Sequence, residues 1–107
     1  MKLAWHTEGH TLHVTMRGAL EARTCRCLRR FWERHVLHAR HTLVAMAEVD
    51  ADDGHGIAVM IDLLQQSLQN GAGITLEHAP QALAHTIYKV GLLQDGRLSL
   101  SAPRRGE

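Results

Sequence analysis

Leu3, Trp5, Leu12, Val14 and Met16 alternate with polar residues on both sides of Glu8-Gly9, which predicts a β-hairpin with one apolar face. With Glu8-Gly9 as the turn, Thr7 pairs with His10, Trp5 with Leu12 and Leu3 with Val14. His6, Thr11, His13 and Thr15 then share the opposite face, as in a strand pair wetted on one side near a sheet edge. From about Ala22 to Ala39 the period changes. Cys25, Leu28, Phe31, Trp32, Val36 and Ala39 recur at three and four, predicting a helix whose basic flank (Arg26, Arg29, Arg30, Arg34) is a solvated face.

Thr42 to Ala47 is a short, mostly apolar run without strict alternation, as expected of a central strand covered on both faces. A polar loop from Glu48 to Gly56 follows. Ile57, Met60, Ile61, Leu63, Leu64 and Leu68 then mark a helix from about Gly56 to Asn70, with Asn70-Gly71 as its stop. Gly73 to Glu77 reads as another strand. Pro80 opens a last helix bearing Leu83, Ala84, Ile87 and Val90 and ending at Gly91. Leu98 to Leu100 fit either a further strand or a loop.

This order, β-β-α-β-α-β-α, demands crossover connections between the later strands and therefore parallel pairing. The expected fold is α/β: a single domain over residues 1–100, with a mixed, mostly parallel sheet of four to five strands and three main helices. Residues 101–107 are expected to form a flexible tail.

Composition narrows the function. In 107 residues, 45% hydrophobic and 21% charged side chains are ordinary for a globular domain, so a disordered chain is excluded. The formal net charge of +1, with both signs interleaved, provides no field for a polyanion, so nucleic acid is not an expected partner. No apolar run reaches the roughly 20 residues of a membrane span, and the N-terminus lacks a signal-like stretch, so the expectation is a cytoplasmic protein without direct membrane insertion.

Candidate chemistry is sparse. Cys25 and Cys27, two apart, suit neither a disulfide nor a zinc knuckle and read as reduced thiols on a helix. The nine histidines raise a metal reading, with His35, His38 and His41 as an H-x2-H-x2-H series. On one helix neighbouring members are about 60° apart, so a three-ligand site is poor unless the helix ends. No metal or cofactor is therefore expected, and a small histidine-based metal-binding protein is the alternative reading. Asp53 with His55, or Cys25 as nucleophile, would be needed for catalysis, but residues two apart rarely face each other and Cys25 lies on an apolar stripe. Gly54-His55-Gly56 lacks the lysine and hydroxyl of a phosphate loop. No enzyme is expected.

The stretch Val49-Asp50-Ala51-Asp52-Asp53-Gly54-His55-Gly56-Ile57-Ala58-Val59-Met60, followed by a helix, Asn70-Gly71-Ala72-Gly73, a strand and Pro80, resembles the STAS family of bacterial sulfate-transporter and anti-sigma-factor-antagonist domains. Asp53 and Gly56 occupy the outer positions of that family's loop signature. Tyr88-Lys89-Val90-Gly91-Leu92-Leu93 resembles its final helix, so the likeness runs from about Leu3 to Leu93. Phe31-Trp32-Glu33 and the short length are similar to the small STAS subunit of the Mla phospholipid-transport complex. One departure lies inside the loop: Gly54, followed by His55, stands where antagonists carry a phosphorylatable serine and the Mla subunit a threonine. The resemblance thus implies a non-enzymatic regulatory module without the usual phosphoswitch.

It also implies a protein partner that binds nucleotide, either an anti-sigma factor of the kinase type or a transporter ATPase, and is compatible with a homodimer. A helix start near Gly56 offers unpaired N–H groups, and Asp53 is placed to cap it. His55 is the one imidazole in the loop. Ala58, Asp62, Gln65 and Gln66 lie off the apolar stripe of the same helix. The candidate contact residues are Asp53, Gly54, His55, Gly56, Ala58, Asp62 and Gln65.

Overall fold

The computed structural model describes residues 1–94 and 96–102, so most of the expected tail lies outside the described residues. The elements follow as β1 (Lys2–Glu8), β2 (Thr11–Ala19), α1 (Ala22–Arg34), β3 (His41–Asp50), α2 (Gly54–Gln69), β4 (Gly73–Glu77), α3 (Gln81–Lys89) and β5 (Leu98–Ser101). The sheet has five strands in the order β1-β2-β3-β4-β5, antiparallel at β1-β2 and parallel thereafter. The expected α/β class and element order hold, and Leu98–Ser101 is a strand.

The hairpin register differs from expectation. Glu8 pairs with Thr11, Trp5 with Val14 and Leu3 with Met16, so the turn is Gly9-His10. Gly9 has φ +62°. A two-residue hairpin turn needs positive φ at its first central position, which glycine accepts and Glu8 would resist. Because side chains alternate with period two, this two-residue shift leaves each residue on its expected face.

The central strand also departs from expectation. Along β3, Thr42, Val44 and Met46 are buried while His41, Leu43, Ala45 and Ala47 are exposed or half-buried. The strand order explains this. Each crossover from β2 to β5 advances one position in the same direction, and right-handed connections then lay α1, α2 and α3 on one face of the sheet. The other face, bearing His6, His13, Thr15, Ala45, Thr75 and Ser99, is left uncovered among the described residues. β3 also runs on to Asp50, through residues expected to be loop. A register irregularity between Thr15 and Arg17 realigns it, pairing Arg17 with Glu48 and Ala19 with Asp50.

Between sheet and helices the core gathers Leu12, Val14, Met16, Val44, Met46, Ile74, Leu76 and Leu98 against Leu28, Trp32, Met60, Leu63, Leu64, Leu83 and Ile87. Trp32 is fully buried, and its Nε1 donates to the buried Ser67 Oγ at 2.8 Å, fastening α1 to α2. The chain after α1 tightens into a 3-10 turn, Val36–His38, rather than continuing as α-helix to Ala39. Val90, expected on the apolar stripe of α3, is half exposed as the C-cap, and Gly91 takes φ +78° to end the helix.

Candidate partner-binding site

The chain leaves the C-terminal end of β3 through Ala51, Asp52 and Asp53 and enters α2 two residues earlier than the sequence suggested. Asp53 is the N-cap. Its Oδ1 accepts from the His55 amide at 2.9 Å, and its Oδ2 accepts from the Ala22 amide at the start of α1 at 3.1 Å. One carboxylate thus satisfies orphan donors at two helix N-termini, where a negative charge is also favoured by both helix dipoles.

The two glycines of the loop differ. Gly54 is exposed, and a Cβ there would meet nothing within 4 Å. Gly56 is buried, and a Cβ would fall onto the Leu20 carbonyl oxygen, 2.6 Å from its carbon and 3.0 Å from the Glu21 nitrogen. Gly56 therefore lets the first turn of α2 lie against the β2–α1 corner, and what it admits is this chain's own backbone.

The other candidates align. Gly54, His55, Ala58, Asp62 and Gln65 are all exposed, and the intervals of three and four from His55 to Gln65 form one stripe along α2. Asp62 accepts from Arg29 Nη1 of α1 at 3.1 Å and from Gln66 Nε2 at 3.0 Å, so its charge is already matched. Beyond Gln65 the stripe reaches a shallow groove lined by Leu68, Gln69, Leu92 and Gln94.

Cys25 is buried, whereas Cys27 is exposed, and both are free thiols. Burial, and secondarily the Asp53 carboxylate, push the Cys25 thiol above its ordinary range, with Arg29 pulling the other way. Such a thiol is a poor nucleophile. The histidine series is dispersed. His35 closes α1 and packs against Trp5 and Phe31, His38 lies in the 3-10 turn, and His41 begins β3, leaning over Gly73. Sequence reasoning did not find the Trp32–Ser67 bond, since a serine inside an amphipathic pattern carries no sign of its partner.

The chain matches the family model described as Mlab, STAS domain, over residues 3–100, and it belongs to that STAS family. Solved structures repeat the fold. SpoIIAA of Bacillus in its phosphorylated form superposes with a TM-score of 0.69 at 9% identity, covering 94% of this chain and 92% of that one. An RsbS variant of Moorella thermoacetica gives 0.68 at 12% identity, with 98% and 90% covered. A structure described as a putative anti-sigma factor antagonist from Thermotoga maritima gives 0.65 at 8% identity, with 91% and 85% covered. No curated protein matches this chain. Among the described residues no helix is long and apolar enough to cross a membrane.

Proposed function

We propose that this STAS domain acts as a non-enzymatic regulatory module that docks a nucleotide-binding protein through Gly54, His55, Ala58, Asp62 and Gln65, with Asp53 holding the loop in shape. The observation that carries this reading is the exposed stripe beginning at the α2 N-terminus, in a chain whose family match spans residues 3–100. Asp53 caps the helix start and Gly56 lets it pack against the β2–α1 corner, and a preformed contact surface lowers the ordering cost of association. Between the two partner classes, we favour a transporter ATPase of the Mla phospholipid-transport kind over a kinase-type anti-sigma factor. The family description supports that choice, as does the loop Ala51 to Gly56, which holds no hydroxyl for a kinase to modify. The reading places the protein in the cytoplasm, on the nucleotide-binding side of such a transporter.

The test is affinity capture from a lysate of the native cells with the wild-type chain and with Gly54→Trp and Ala58→Arg. Both changes fall on exposed positions. Retention of a transport ATPase by the wild type, and its loss in both variants, supports the reading. Retention of a kinase-like anti-sigma factor would move the chain to the other class. Equal retention by all three chains would remove the stripe as the docking site.

A further inference from the structure

The uncovered face of the sheet carries a cluster that the α2 surface does not involve. Alternation along β1 turns His6 and Glu8 to that face, and alternation along β2 turns His13 to the same face. The register sets His6 directly opposite His13. Their imidazoles stack with centroids 4.9 Å apart and planes 8° from parallel. The Glu8 carboxylate approaches His13 Nε2 at 3.5 Å. One ligand atom from each of His6, Glu8 and His13 lies within 4.8 Å of the other two.

We infer that His6, Glu8 and His13 form a binding site for a divalent transition ion of the zinc type. Two imidazole nitrogens and one carboxylate oxygen are a borderline donor set that suits Zn²⁺. One carboxylate cannot supply the all-oxygen shell that Ca²⁺ or Mg²⁺ requires. Ligand bonds of about 2.0–2.2 Å in a tetrahedron set donor atoms roughly 3.4 Å apart. The donors therefore need to close by little more than an ångström, within reach of side-chain rotation because His6 and Glu8 are exposed and His13 is half-buried. The backbone under them is a paired hairpin, so the closing motion needs no change of fold. Water completes the shell on the open side. His41, on the same face, leans over Gly73 towards β4 and takes no part. The site lies on the opposite side of the sheet from the helices and at the other end of the strands from Asp53, so it stands or falls independently of the docking proposal. Its physical effect is to clamp the edge strand β1 to β2.

Titration calorimetry of the full chain, without a histidine tag, tests it with ZnCl₂ near neutral pH. One Zn²⁺ per chain is expected, with MgCl₂ giving no heat of binding. Glu8→Gln and His13→Gln should each weaken Zn²⁺ binding by about tenfold or more, while His35→Gln and His41→Gln leave it unchanged. Zn²⁺ should also raise the melting temperature of the wild type and not that of His13→Gln, because a ion that binds only the folded hairpin stabilises it. Glu8 is an exposed strand-end residue, so its variant keeps the test informative if a histidine variant unfolds. Absence of stoichiometric Zn²⁺ binding, or binding that survives both Glu8→Gln and His13→Gln, overturns the assignment.

Discussion

Replacing Gly56 by alanine separates the two glycines of the α2 entrance and tests why the loop has its shape. Gly56 is the third residue of α2, and alanine there raises helix propensity by about 1 kcal/mol. Opposing this, the new Cβ lands on the Leu20 carbonyl, 2.6 Å from its carbon, where ordinary contact begins at 3.4 Å. The obstacle is backbone on both sides, so no rotamer change relieves it. The helix start must withdraw by roughly 0.8 Å or more, an overpacking strain of about 1–3 kcal/mol. The same withdrawal stretches the 2.9 Å and 3.1 Å bonds from Asp53 to the two helix starts, whose loss adds about 0.5–2 kcal/mol. The net expectation is a loss of about 2 kcal/mol, or a melting temperature lower by about 10 °C. At Gly54 the space is open, so Gly54→Ala should be neutral or gain up to about 1 kcal/mol. Urea titration followed by fluorescence, with the buried Trp32 as reporter, measures both. If Gly56→Ala is as stable as the wild type, or shifts in the same direction as Gly54→Ala, the close packing at the β2–α1 corner is refuted.

Ser67→Ala should cost about 1–3 kcal/mol by leaving the Trp32 N–H buried and unpaired, and a double-variant cycle with Trp32→Phe should show the two losses to be coupled. Thr42→Val should stabilise the protein by about 1 kcal/mol in urea titration, since the buried Thr42 hydroxyl has no hydrogen-bond partner among the described residues. A thiol reagent under native conditions should label Cys27 quickly and Cys25 only on unfolding. Because the folded state holds the Cys25 proton more tightly than the unfolded chain, stability should be unaffected at low pH and fall as pH rises through the ordinary thiol range; Cys25→Ala should flatten that slope, and an unchanged slope would refute the shift.

Local patterning was enough for the element types, since period two marks β1 and β2, period three-to-four marks α1 and α2, and Asp53, Gly71, Pro80 and Gly91 carry their capping and stopping chemistry in their own covalent structure. The loop and helix that resemble the STAS family were legible for the same reason, being contiguous. What depended on residues distant in the chain was not. The turn at Gly9-His10 moved the hairpin register by two, and only in that register does His6 stand across from His13 beside Glu8. The order of the strands laid all three helices on one face, which opened the β3 residues expected to be covered. The fit of Gly56 against Leu20 and the bond between Trp32 and Ser67 join positions more than thirty residues apart. Hydrophobic periodicity states which side of an element seeks the core, but the partner across the core is chosen by strand order and register, and these exist only once the sheet has assembled.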